Sequence, residues 1–152
     1  MKPRRKSRRQ IEAELNRLLR LVQAEGEIYD ATPEEEREET FTCPGIGRIG
    51  TCTNTAAYLA DKLNGEVYGY YMEDNPTAWV ARDEGGHDFA LIDDRWLVDF
   101  WAYQEEDRAW LYDLEDRAEA KVVADLYGDP TKWEKWSAAD RQEHRTHIEN
   151  YF

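Results

Sequence analysis

Four short runs rich in aromatic and β-branched side chains follow one another at residues 66–72, 78–82, 87–92 and 96–101, separated by stretches of three to five residues. Runs of this composition read as strands. A parallel pair needs a crossover of a dozen or more residues, so connections this short point to an antiparallel sheet. Everything else in the chain has to pack around that sheet.

Helical patterns lie on both sides of it. Ile11, Leu15, Leu18, Leu19 and Val22 recur at three- and four-residue spacing, which predicts an amphipathic core-packing helix over residues 10–24, ending near Gly26. Thr51 is placed to cap a second helix reaching Leu63, with Ala56, Leu59, Ala60 and Leu63 on one face and Asn64-Gly65 as its stop. Two further helices are predicted over 116–127 and 138–151, divided by Gly128-Asp129-Pro130. The stretch from Gly26 to Gly50 has no periodicity and reads as a loop, with a short helix started by Thr32-Pro33-Glu34-Glu35. No repeat and no second domain are visible. The expected organisation is a basic disordered tail over residues 1–9 and one α+β domain over residues 10–152.

Charge and cysteine content narrow the function classes. A net charge of −13 argues against nucleic-acid binding by the acidic body, since phosphate contacts need clustered Lys and Arg. Six of the first nine residues are basic, yet Glu12, Glu14, Arg17 and Arg20 interrupt residues 11–24, so that stretch is not the apolar core of a signal peptide. No run approaches the ~20 apolar residues of a membrane span. The expectation is a cytoplasmic protein without membrane attachment. Two cysteines are too few for a disulfide framework and fit a reducing compartment; a Cys43–Cys52 bridge is the alternative.

One of those cysteines stands where chemistry is possible. Cys52 falls in the first turn of the helix capped by Thr51, after the glycine-rich stretch ending at Gly50. The positive end of a helix favours a thiolate, and its free N–H groups can hold an oxyanion. A thiolate needs a base. His87 is the one histidine outside the C-terminal segment, and it opens a strand directly after Gly85-Gly86, where a substrate can approach closely. A third group should orient the imidazole, and Asp99 near the end of the next strand is placed for that.

The register of the hairpin decides whether this works. A two-residue turn at Asp93-Asp94 pairs His87 with Phe100 and puts Asp99 on the opposite face. A three-residue loop, Asp93-Asp94-Arg95, pairs His87 with Trp101 and Phe89 with Asp99, bringing both polar groups to one face. A triad requires the second register or an equivalent bulge.

Gly50-Thr-Cys52, the helix and strand from Thr55 to Tyr70, Gly86-His87-Asp88-Phe89 and Arg95-Trp-Leu-Val-Asp99 together resemble the transglutaminase-like branch of the papain-like cysteine enzymes, over about a third of the chain. That resemblance implies a nucleophile helix packed on a small antiparallel sheet with flanking helices, Cys52 as nucleophile, His87 as general base and acid, and Asp99 as the orienting carboxylate. The expected activity is cysteine-dependent acyl transfer through a thioester, most economically hydrolysis by a peptidase, amidase or glutamine deamidase acting on a protein, peptide or other amide. Protein-glutamine cross-linking by a transglutaminase and a catalytically inactive binding protein on the same fold are the alternatives. The chain departs from the family in a short His-to-Asp interval and in lacking a recognisable upstream side chain for the oxyanion hole. No metal or organic cofactor is called for. His144 and His147, three apart on a predicted helix, read as solvent-facing, and Trp133 and Trp136 as packing residues. The letters Gly45-x-Gly47-x-x-Gly50 match a dinucleotide fingerprint, but without a preceding strand they do not form one.

Overall fold

The computed structural model describes residues 4–31 and 51–151. The glycine-rich approach to Cys52, the short helix expected at residues 32–35, and Cys43 lie outside the described residues.

The first helix, α1 (Arg8–Ala31), runs past Gly26, where the sequence predicts a stop. A single helical glycine costs only about 1 kcal/mol, which its neighbours can carry. Ile11, Leu15 and Leu18, each at most 1% exposed, form its buried stripe. The chain ahead of it is docked rather than loose. The Lys6 N–H donates to Asp93 Oδ2 at 2.7 Å, the Trp96 Nε1–H donates to the Lys6 carbonyl at 3.1 Å, and Arg5 and Arg8 pair with Glu115 and Glu119. Within the stretch expected as a disordered tail, residues from Arg5 onward make these contacts, their basic side chains meeting a matching acidic edge.

Helix α2 (Cys52–Leu63) starts and stops as its sequence predicts. Thr51 Oγ1 accepts the Asn54 N–H at 3.0 Å, and Asn64, with φ 56°, turns the chain into the left-handed region before Gly65. Strand β1 (Glu66–Tyr71) comes next and pairs antiparallel with β2 (Gly86–Ile92), matching Tyr70 with His87. Between them the expected strand at 78–82 is replaced by a loop. Ala81 lies at φ 56°, and the Trp79 and Val80 N–H groups donate to the Leu126 carbonyl rather than to a neighbouring strand. The apolar residues of that run, Ala78, Val80 and Ala81, are core residues without being strand residues.

Strand β3 (Trp96–Val98) pairs Ile92 with Trp96 and Ala90 with Val98, so the connection is the three-residue loop Asp93-Asp94-Arg95. Asp93 and Asp94 both have left-handed φ, a conformation that Asp tolerates better than most side chains. The strand ends three residues sooner than expected because Asp99 caps a helix, α3 (Phe100–Glu106). Strand β4 (Leu111–Asp113), helix α4 (Arg117–Tyr127), the short strand β5 (Glu134–Lys135) and helix α5 (Ala138–Tyr151) complete the chain.

The result is an α+β fold around a five-stranded antiparallel sheet in the order β4-β3-β2-β1-β5. One face, with Val67, Ala90, Ile92, Trp96 and Val98, packs on α1 and α2. The other, with Tyr70, Phe89, Leu91, Leu97 and Tyr112, packs on Val123 and Tyr127 of α4. None of the described helices is long and apolar enough to cross a membrane.

Candidate active site

The cleft beside the start of α2 is built by three neighbours in space. Thr51, Cys52 and Thr53 come from the α2 N-terminus, Tyr70 and Tyr71 from the end of β1, and Gly86, His87 and Asp88 from the start of β2. The cleft measures about 1100 Å³, and Trp101 and Trp136 stand in its wall. A hydrogen bond joins α2 to the sheet here. Thr53 Oγ1–H donates to Asp88 Oδ2 at 2.7 Å. Asp88 in turn lies over Gly69, where a Cβ would come within 2.1 Å of Asp88 Oδ1 and 2.9 Å of the His87 carbonyl. Only a residue without a side chain lets β1 pass that close.

The three-residue loop carries Asp99 to the His87 side of the sheet. His87 Nε2 and Asp99 Oδ2 are 2.6 Å apart, and both residues are 2% exposed. The same oxygen accepts the Tyr127 hydroxyl at 2.8 Å, while Asp99 Oδ1 accepts the Ala102 N–H at 3.0 Å. The carboxylate is thus held by three donors and caps α3 while it orients the imidazole. Asp88, the next residue on the strand, is committed to Thr53 instead.

With Nε2 taken by Asp99, Nδ1 is the nitrogen left for the thiol. It is buried and makes no hydrogen bond of ordinary geometry, Cys52 being the ionisable group besides Asp99 that interacts with the ring. Cys52 is half-buried, a free thiol, and lines the same cleft. Burial of the imidazole opposes its positive charge, but attraction and hydrogen bonding from Asp99, with a smaller contribution from Cys52, outweigh it and push the His87 pKa up to about 10. That direction favours the protonated ring at neutral pH. Aromatic neighbours fix its plane, with Trp101 at 5.1 Å and Tyr127 at 6.0 Å between ring centroids. Burial first, and then the negative charge of Asp99, hold the Tyr127 pKa well above that of a free phenol, so its hydroxyl stays a donor.

Three site features are invisible to one-dimensional reasoning. Tyr127 lies 28 residues beyond Asp99 at the end of α4, where its apolar spacing marks it only as a core residue. Trp136 faces the cleft as well as the core. His144, expected to face solvent, is half-buried in the cleft wall, with Nε2 2.7 Å from Asn54 Oδ1 of α2 and its ring 5.7 Å from that of Trp136. The docking of α5 against α2, which also uses Arg141 on Asp61 Oδ1 at 2.6 Å, turns that histidine inward. Among the described residues no group of three or more His, Cys, Asp or Glu is arranged to hold a metal ion.

Compared with known proteins, the chain matches no family model, no curated protein and no solved structure.

Proposed function

We propose that this protein is a cysteine-dependent acyl-transfer enzyme, in its simplest form a hydrolase, with Cys52, His87 and Asp99 as its triad and a papain-like, transglutaminase-like arrangement of helix and sheet. The observation that carries the reading is the buried 2.6 Å pair between His87 Nε2 and Asp99, which leaves Nδ1 without a hydrogen bond of ordinary geometry beside the cleft that Cys52 lines. Most buried polar side-chain atoms are hydrogen-bonded, so a ring nitrogen left open beside the cleft favours a working histidine over a structural one.

In this mechanism the Cys52 thiolate attacks the carbonyl carbon of an amide, forming a C–S bond as the carbonyl π pair moves onto oxygen. The first N–H groups of a helix have no intrahelical acceptor, and those at the α2 start, between the Thr51 cap and Thr53, supply stabilisation for that oxyanion. Imidazolium His87 gives its proton to the departing amine as the C–N bond breaks, leaving a thioester. Neutral His87 then takes a proton from water, the hydroxyl adds to the thioester carbon, and the acid leaves as the C–S bond breaks and the thiolate returns. Asp99 keeps one orientation of the ring throughout and stabilises its charged form.

Iodoacetamide at limiting concentration, with labelled peptides identified by mass, tests the assignment. Cys52 is expected to react at least about tenfold faster than Cys43 at pH 7, and His87→Ala should remove most of that advantage. Equal rates at the two cysteines, or a His87→Ala variant labelled as fast as the wild type across pH 5 to 9, would overturn the catalytic reading in favour of a binding protein.

A further inference from the structure

The proposed site sits in a strongly one-signed wall. Glu84, Asp88, Glu105, Glu134, Asp140 and Glu143 all line the cleft, with Lys135 the one lysine and no arginine among its described lining residues. The whole chain carries 33 carboxylates to 20 Lys and Arg, and the cleft, at six to one, is more one-signed than the chain as a whole. The exception is itself engaged, with Lys135 Nζ 3.9 Å from Glu66. The carboxylates are spread along the cleft. Glu84 and Glu105 group with Trp101, the latter two on α3 after β3; Glu134, Asp140 and Glu143 come with Trp136 from β5 and α5, and β5 lies at the far, β1 edge of the sheet. At the centre is the buried His87 Nδ1.

On the reading of Cys52 as nucleophile, we propose that the acyl donor is a basic polypeptide segment with Lys or Arg on both sides of the reacting carbonyl. An acidic cleft with apolar walls focuses potential, raising the local concentration of a cation and penalising an anion. Each indole offers a face for the alkyl stem of a Lys or Arg whose head reaches the neighbouring carboxylates, adding a cation–π attraction. Cation sites on both flanks of the nucleophile fit a chain that runs through the cleft better than a single ammonium group at one end.

The test uses reagents that report charge preference at one sulfur. The full-length protein is treated with a trimethylammonium and a sulfonate alkylthiosulfonate of equal size, and with two pentapeptide vinyl sulfones carrying Lys or Glu on both flanks, all read at Cys52 by mass. Relative to glutathione, the cation-to-anion and Lys-to-Glu rate ratios at Cys52 are expected to be raised about tenfold or more in 20 mM salt, at the low end of electrostatic steering. Both should fall toward the glutathione value in 0.5 M salt, where the screening length is only a few ångström. They should also fall in an E84Q/E105Q/E134Q/E143Q variant, where the ratio of two reagents at one sulfur cancels any change in the reactivity of the thiolate itself. Ratios equal to those of glutathione in the wild type overturn the proposal. A cation preference among the small reagents without a Lys preference among the peptides also overturns it, in favour of a small amine. A slow iodoacetamide rate at Cys52 refutes the catalytic reading instead, and the charge ratios remain readable there.

Discussion

Replacing Tyr127 with Phe removes one oxygen from the buried centre of the site and leaves every other contact in place. The hydroxyl donates at 2.8 Å to Asp99 Oδ2, the oxygen that also meets His87, and Tyr127 is fully buried, so water has no ready access to the gap. A hydrogen bond to a charged group contributes about 1.5–3 kcal/mol net. The lower half of that range applies here because Asp99 keeps His87 and the Ala102 N–H, and because Phe strands no polar atom of its own. The expected loss is about 2 kcal/mol, which for a chain of this length lowers Tm by roughly 4–8 °C. Thermal unfolding monitored by tryptophan fluorescence measures it, with Tyr103→Phe at an exposed position as the reference, expected within about 0.5 kcal/mol of wild type. The carboxylate, losing one stabilising donor, holds the imidazole proton more tightly, so iodoacetamide labelling of Cys52 at pH 7 should fall far less than in Asp99→Ala. A Tm shift under 1 °C would show that the hydroxyl does not support Asp99 in solution, and the three-donor account of that carboxylate would be wrong.

Two further outcomes are expected. The folded His87 pKa is raised from about 6.5 to about 10, so its ion pair stabilises the fold fully below pH 6.5 and is lost as pH rises through 10; urea unfolding of wild type against His87→Asn should show a stability gap that narrows between those limits, and a gap that widens over that range would refute the pairing. Gly69→Ala puts a methyl group within 2.1 Å of Asp88 Oδ1 and 2.9 Å of the His87 carbonyl, which should cost about 1–3 kcal/mol and slow Cys52 labelling; unchanged stability and labelling would mean that β1 and β2 are less closely apposed there than described.

The parts of this fold legible in the sequence are those whose signals are local. Thr51 and Asn64-Gly65 mark both ends of α2 because caps are chemistry within a few residues. The His87 and Asp99 relationship is legible as a choice between two registers, and the loop at Asp93-Asp94-Arg95 resolves it. What fails depends on partners distant in sequence. The apolar residues at 78–82 read as a strand, but the Tyr70 hydroxyl on the Val80 carbonyl and the end of α4 on Trp79 and Val80 hold them as a loop. Residues 99–101 read as the end of a strand because their aromatic content outweighs the cap that Asp99 makes with Ala102. Strand β5 consists of two exposed charged residues, Glu134 and Lys135, whose pairing with β1 no periodicity announces. Tyr127 reaches Asp99, and His144 the cleft, only through the packing of α4 and α5.

Because the Asp99 carboxylate divides its oxygens between the α3 cap and the imidazole, the geometry of His87 and the seating of α3 are thermodynamically linked. Helix α3 carries Trp101 and Glu105 into the cleft wall, so a ligand that prefers one placement of that wall also prefers one placement of the ring. Linkage is reciprocal: whatever free energy a bound chain contributes to aligning the imidazole, an aligned imidazole returns as affinity for that chain. Occupancy of the outer cleft and readiness of the inner pair are then two readings of one equilibrium, transmitted through a single side chain.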